Sequence, residues 1–436
     1  MPSRLAFTAY LAVSALLVLG PLLPAIGTIV LLLDAAITVL VLFEGFYVLR
    51  DGFVEVKRSF SKRLSLAEDN LIELQVSSRV SMNLELRIRD IIPDEFDYES
   101  DEFGPVFLQP MAEELISYQV RPRRRGRWFF GDIYVRIGRR GGWAVRRFCL
   151  AQRQEARVYP NLVELQRYET LRQSRRLMNY GLHAMRKFGK GSEFESLRDY
   201  QNNDDYKDIN WKATARLGRP ITQLYQIERS QNVMIVIDSG RMMSTQAGDL
   251  TKFDYAVNAA LMLAYVAKRT DDKVGLMLFS DRVKTFVPVG SGSKQLAKII
   301  ESLYPVQPDG FFVDYKAMAR FLKLKNRKRG LVVIFTDFPD ADSGRQLLQN
   351  LRQLRRSHLV LCIAVSDENL VRLRQSHPAN SREAYEKVVA LELLEEREEI
   401  LLALSRMGVQ VLDLPSQALT IATLNKYIEL KSRALF

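Results

Sequence analysis

The sequence predicts an α/β protein: a doubly wound, mostly parallel C-terminal unit, preceded by a small β-sandwich and an N-terminal apolar helical hairpin. Three observations carry this reading. From Val233 onward, short apolar runs alternate with helix-length amphipathic runs. Between Phe53 and Pro160, apolar residues recur with period two. Ahead of both, two nearly uninterrupted apolar runs fill residues 5–48.

The 436 residues are enough for two or three separate cores. A hydrophobic share of 47% and a charged share of 26% exclude a largely disordered chain. The net charge of +12 suits nucleic acid or an anionic membrane surface equally. Cys149 and Cys362 fit no metal spacing, and their apolar neighbours lead us to expect buried thiols in a reducing compartment.

Taken in order, residues 5–23 and 25–48 are each close to the roughly 20 residues that cross a hydrocarbon core. The uncharged connection at residues 20–24 is too short for a domain, so a hairpin is expected over residues 1–50. Arg4 at one end and Arg50, Lys57, Arg58, Lys62 and Arg63 at the other place both ends in the cytoplasm. The alternative is a cleaved signal peptide and one span, against which stand a weak charged start and no small-residue cleavage site. Asp34 lies mid-span, where a carboxyl needs a partner, and an interhelical hydrogen bond or oligomer contact is expected.

Residues 51–160 read as the sandwich, with alternation at 71–76, 84–88 and 133–137 and an acidic exposed loop at 94–102. The Arg-Gly-aromatic stretches at 121–128 and 138–143 resemble nucleic-acid contacts. They fall inside strand patterning, so nucleic acid is not expected and an anionic headgroup contact is preferred. Residues 161–230 form a basic connector carrying a polar motif around Trp211. Phe188-Gly-Lys-Gly-Ser192 is no phosphate loop: the first glycine of that pattern would fall on Ala184, and no Ser or Thr follows Lys190.

Residues 231–436 carry the alternating unit, with strands expected at 233–237, 274–279, 331–335, 359–365 and 409–414. Helices are expected at 253–269, 293–303, 315–324, 344–357, 382–407 and 418–431. Val233–Ile237 closes on Asp238, the arrangement by which open α/β sheets offer a ligand group at a strand's carboxyl end. No catalytic constellation accompanies it. His183, His358 and His377 have no suggestive partners, His358 reads as a packed residue, and the acidic run 392–399 reads as a solvated helix face. A non-enzyme is therefore expected.

The ordered residues Gly191, Glu193, Phe194, Leu197, Arg198, Tyr200, Ile209, Asn210, Trp211, Ala215 and Arg216 resemble the signature of the domain of unknown function 58 family. Where that family carries Gly-Asp and Arg ahead of Ile-Asn-Trp, this chain has Asn203-Asp204 and Lys207. The resemblance implies a bacterial inner-membrane protein with cytoplasmic domains, a C-terminal von Willebrand factor A-like domain, and a MoxR-type AAA+ ATPase as partner. Residues 271–281 and Phe335-Thr-Asp337 are similar to the A-type fold, in which an Asp-x-Ser-x-Ser loop, a Thr and a further Asp hold a divalent ion.

Here that site is eroded. Asp238 and Asp337 remain, the serine positions hold Gly240 and Met242, and the threonine loop reads Gly310-Phe-Phe-Val-Asp314. Asp238, Ser239, Asp314 and Asp337 are the candidate ligands, with Mg²⁺ the one cofactor implied. The preferred reading is that the carboxylates cap loops and accept from backbone amides. Gly191, Glu193, Phe194, Arg198, Tyr200, Asn210, Trp211 and Arg216 are expected to contact a partner or to clamp the sandwich to the A-like domain, the clamp being preferred. The leading function is a membrane-anchored, non-catalytic adaptor. The alternatives are a metal-assisted hydrolase using Asp238 and Asp337, or an anionic lipid-binding membrane-surface protein.

Overall fold

A computed structural model describes residues 2–15, 24–48, 54–79, 83–139, 141–161, 193–201, 204–226, 230–338 and 341–433, with residues 24–26, 47–48, 193–196, 224–226, 341 and 368 described by backbone alone. The chain divides into two compact units, Met1–Tyr159 and Pro160–Phe436.

The first unit opens with α1 (Arg4–Ala15) and α2 (Pro24–Val48). Among the described residues one helix segment, Gly27–Phe46, is long and apolar enough to cross a membrane. α1 is apolar, but its 12 residues reach only about 18 Å. The rest of the expected first span and residues 20–23 of the connection lie outside the described residues. Tyr10 Oη lies 2.8 Å from Thr38 Oγ1, which itself donates to the Asp34 carbonyl at 2.7 Å, so Tyr10 is the donor between the helices. The interhelical bond thus falls on Thr38, four residues beyond Asp34, whose Oδ1 meets no donor among the described residues.

At the far end of α2, Glu44 Oε2 accepts from the amides of Trp143 at 2.5 Å and Ala144 at 3.3 Å. Ser3 N donates to Trp143 O at 2.8 Å.

The strands that follow are β1 (Val54–Phe60), β2 (Arg63–Ser65), β3 (Asn70–Ser78), β4 (Leu84–Asp90), β5 (Phe96–Tyr98) and β6 (Glu102–Leu108). β7 (Glu113–Pro122), β8 (Gly126–Phe130), β9 (Ile133–Arg139), β10 (Val145–Leu150) and β11 (Gln154–Tyr159) complete the unit. They form antiparallel sheets β1-β3-β7-β5 and β10-β9-β4-β6, with β2-β11-β8 alongside. The period-two pattern becomes alternating burial, with Ile72, Leu74 and Val76 on β3 and Leu84, Leu86 and Ile88 on β4 buried. The acidic insert at 94–102 is not simply a loop: it contains β5, and Asp97 and Asp101 pair with Arg123 and Arg89. Cys149 is exposed on β10, contrary to expectation, because the edge strand turns it outward; Cys362 is buried.

One polar cluster crosses the core between the two larger sheets. Arg58 on β1 reaches Asp90 at the end of β4 through a two-pronged contact, with Nε to Oδ2 at 2.9 Å. Its remaining donors meet Gln152 O and Gly131 O, and its guanidinium lies 5.0 Å from the Phe130 ring centre. Tyr118 Oη donates to Asp90 Oδ2 at 2.6 Å. Both charged groups are fully shielded, so each depends on the other.

The second unit begins with the ribbon β12 (Glu193–Asp199) and β13 (Ile221–Gln226), which flank α3 (Trp211–Leu217). Next come β14 (Asn232–Asp238), the short pair β15 (Gln246–Ala247) and β16 (Leu250–Thr251), α4 (Lys252–Arg269), β17 (Lys273–Phe279) and β18 (Val283–Gly290). α5 (Ser293–Leu303), α6 (Tyr315–Lys325), β19 (Leu331–Thr336), α7 (Ala341–Leu354) and β20 (Leu359–Val365) follow. α8 (Glu368–Gln375), α9 (Ser381–Arg406), β21 (Gln410–Leu414) and α10 (Leu419–Ser432) close it.

The main sheet has the order β18-β17-β14-β19-β20-β21, parallel except for β18. Val233, Ile235 and Ile237 of β14 join the core beneath α4, α5 and α10, while Met234 and Val236 join that beneath α6, α7 and α9. A mixed α/β protein with an apolar N-terminal helix is therefore present as expected. The antiparallel β18 and the short α8 were not anticipated. At the amino end of the sheet, buried Asp272 accepts from Tyr427 and from the amide of Gln231 and pairs with Lys431 at 2.6 Å, fixing α10 to the sheet.

Removing one partner of the Arg58–Asp90 pair strands the other in the core. We expect D90A and R58A each to cost the first unit about 3–5 kcal/mol, and the double apolar variant R58M/D90L to cost less than either. Urea unfolding of the three variants tests this.

Candidate functional site at the carboxyl edge of the second sheet

β14 and β19 are adjacent and parallel, with Ile237 opposite Phe335, so their last residues emerge together. Asp238 is fully buried; its Oδ1 accepts from Gly240 N at 2.7 Å and its Oδ2 from Thr336 Oγ1 at 2.7 Å. Thr336 has spent its proton on Asp238, so Tyr315 Oη, 2.9 Å away, donates to Thr336. Burial pushes the Asp238 carboxyl up to about 7 despite those two hydrogen bonds. Asp238 therefore fits the expected loop-capping role.

Asp337 behaves differently, and the expectation that it meets backbone amides is corrected. Its Oδ2 lies 2.8 Å from Lys252 Nζ and its Oδ1 2.7 Å from Arg397 Nη1. Lys252, only 1% exposed, also meets Asp367 at 3.3 Å. Arg397 reaches Asp413 at 3.0 Å and the Phe338 carbonyl at 3.3 Å, and its guanidinium lies 4.8 Å from the Phe338 ring centre. Burial opposes the charge on Arg397, but Asp337 and Asp413 outweigh it and raise its pKa above the usual guanidinium value. Two buried cations thus serve three carboxylates.

The local sequence explains both cations. Thr251 caps α4 in a reciprocal box with Asp254, which fixes Lys252 as the first helical residue and aims it along the sheet edge. Arg397 is the buried member of the otherwise mostly exposed acidic stretch of α9. Sequence reasoning missed both; the Thr251-x-x-Asp254 box and the lone arginine within 392–399 were the available signals.

The other candidate ligands point elsewhere. Ser239 Oγ donates to Phe279 O at 3.0 Å, and Asp314 caps α6 by accepting from Ala317 N at 2.8 Å. A side chain at position 240 would run into Val313 Cγ2 at 2.7 Å and Phe311 O at 3.0 Å, so the 311–313 loop occupies the room a serine there would need. Among the described residues no three histidine, cysteine, aspartate or glutamate side chains are grouped to share a cation. The residues do not fit a divalent ion: Lys252 already supplies the positive charge at Asp337.

Above this network lies a cavity of about 170 Å³ lined by Arg241, Phe311, Phe312, Tyr315 and Asp337 among others. Phe311 and Phe312 are 58% and 71% exposed, and the Arg241 guanidinium lies 5.8 Å from the Phe312 ring centre.

The Trp211 motif folds as a small module. Asn210 caps α3 by accepting from Ala213 N at 3.0 Å and donates to Gln223 at 3.1 Å, and Gly218 ends the helix at φ 66°. Arg198 pairs with Asp204 at 2.6 Å, Asp204 also accepts from Thr222, and Tyr200 stacks on Tyr206. Trp211 is 69% exposed and Arg216 is exposed on the same helix. The backbones of Glu193 and Phe194 lie in β12, whereas their side chains, Gly191 and the basic stretch 162–190 lie outside the described residues.

Residues 196–380 match the model of the family described as Protein of unknown function DUF58. Uncharacterized protein Mb1516 of Mycobacterium bovis is 27% identical over 187 residues, covering 42% of this chain and 58% of the relative. Uncharacterized protein Rv1480 of Mycobacterium tuberculosis matches to the same extent. The chain thus spans under two thirds of these relatives. Among solved structures, an aerotolerance-related membrane protein from Bacteroides fragilis aligns at 12% identity and TM-score 0.30, covering 47% of this chain and 99% of that one. The protein BatB from Bacteroides thetaiotaomicron aligns at 12% identity and TM-score 0.30, covering 46% and 100%.

The raised carboxyl of Asp238 sets a pH dependence. Between the ordinary carboxyl value and about 7, the folded chain holds a proton that the unfolded chain has released. The contribution of this residue is therefore full below the ordinary value, falls as pH rises and is lost above about 7. We expect D238N to flatten that decline, by a few kcal/mol across the interval, in urea titrations at pH 4.5 to 8.

Proposed function

We propose that this chain is a membrane-anchored, non-catalytic interaction protein. The apolar hairpin of residues 1–50, to which α1 and α2 belong, holds it in the bacterial inner membrane with its N-terminus and both units in the cytoplasm. The second unit is a von Willebrand factor A-like module that meets a MoxR-type AAA+ ATPase. The observation that carries this reading is the exposed Phe311–Phe312 pair with Arg241, set on an edge braced by buried ion pairs. Aromatic and arginine anchors on a rigid support are what binding hot spots are made of.

The same edge favours binding over metal-assisted hydrolysis, because Asp337 would have to surrender Lys252 or Arg397 before it served a metal. Recognition at this edge is accordingly metal-free. The exposed Trp211 is a second contact of the same type.

The test is a titration of the detergent-purified chain with a MoxR-type ATPase held in Mg-ATP. We expect F311S/F312S to weaken binding at least tenfold, about 1.4 kcal/mol or more, and W211A to weaken it less. Absence of affinity in the unaltered chain sinks the adaptor reading, and full affinity in F311S/F312S moves the contact away from this edge.

A further inference from the structure

The outward face of the sheet β10-β9-β4-β6 carries a row of like charges. Arg147 on β10 stands directly opposite Arg136 on β9, which stands directly opposite Arg87 on β4. One step along the same face, Cys149, Tyr134 and Arg89 form the next row. Like charges placed directly across strands oppose pairing. The carboxylates nearby are Glu102, 3.8 Å from Arg87, Asp101, 2.7 Å from Arg89, and Glu85, which precedes Arg87 on the same face of β4 and lines its end toward α1; among the described residues none of them forms an ion pair with Arg136 or Arg147. The rows floor an open groove of about 480 Å³. A second groove shares Arg87 and Arg136 and runs on to Ser3, Arg4 and Leu5 at the start of α1.

From this geometry we propose that the Arg87–Arg136–Arg147 row is a binding site for the phosphate of an anionic lipid headgroup. Neighbouring strands lie about 4.8 Å apart, so adjacent guanidiniums are close enough to share one phosphate by charge-assisted hydrogen bonds. The anion converts a repulsive row into a neutralised one. Continuity with the start of α1 selects a lipid as its source, since an acyl chain leaving the groove on that side runs along the apolar helices. Tyr134, 49% exposed between Cys149 and Arg89, supplies an amphipathic ring at the same level. The site rests on the membrane-anchored reading above.

Native mass spectrometry of the full chain in detergent, with added phosphatidylglycerol or phosphatidylcholine, reads the site directly. We expect one retained phosphatidylglycerol per chain, little phosphatidylcholine, and at least tenfold weaker retention in R136Q/R147Q, with the distant R124Q unchanged. The substitutions relieve opposed charge, so the melting temperature of R136Q/R147Q at low salt should be no lower. R147Q alone, on the edge strand, is the variant to read if the pair does not fold. Equal retention in variant and unaltered chain overturns the site. Displacement of the lipid by millimolar inorganic phosphate, or by a single-stranded oligonucleotide, overturns the headgroup assignment. Carbonate-resistant flotation of the same proteins with liposomes tests anchoring separately: loss of flotation in the unaltered chain overturns anchoring, whatever the lipid adducts show.

Discussion

The second unit depends on one buried arrangement, the Asp337 carboxylate held between the Lys252 ammonium and the Arg397 guanidinium. None of the three is tolerable alone away from water. Together they tie the start of α4, the middle of α9 and the end of β19, and through Asp367 and Asp413 they reach the cap of α8 and the strand β21. The carboxyl edge is therefore a fixed surface whose buried carboxylate, Asp337, is balanced from within. That balance also explains why the 311–313 loop lies against Gly240: no ligand shell has to be kept open there.

Much of the sheet was legible because β14, β17, β19 and β20 are apolar runs buried on both faces, which few other structures require. α4 was legible for the same reason, being apolar almost all round. β18 was not, since its half-buried residues carry no clear period. Asp238 and Asp337 were legible as carboxylates at strand ends. Their different fates were not, because the groups that decide them, Thr336 for one and Lys252 and Arg397 for the other, come from other elements of the chain. A lysine and an arginine in polar sequence read as solvent-facing until folding brings a carboxylate to each. The Trp211 motif was visible as a pattern, yet its internal order rests on pairings such as Arg198 with Asp204 that the pattern does not spell out.

The first unit uses arginine in two opposite ways. Inside, Arg58 is matched by Asp90, Tyr118 and two carbonyls, so its charge is fully answered within the fold. Outside, Arg136 and Arg147 are set in register with no carboxylate answering them among the described residues. The inner arrangement fixes which faces of the two sheets meet. The outer one is a cost to pairing that the fold carries on a face already turned to solvent.

The junction at Glu44 has a mechanical meaning. Its carboxylate takes the amides of Trp143 and Ala144, and Ser3, just ahead of α1, bonds back to Trp143, so both ends of the hairpin are hydrogen-bonded to the segment that leads into β10. On the membrane-anchored reading proposed above, α2 is a lever arm and this segment its fulcrum. A thicker or thinner bilayer changes the tilt of the lever. The sheet inherits that rotation, and on this reading bilayer thickness becomes an input that the first unit receives as an angle.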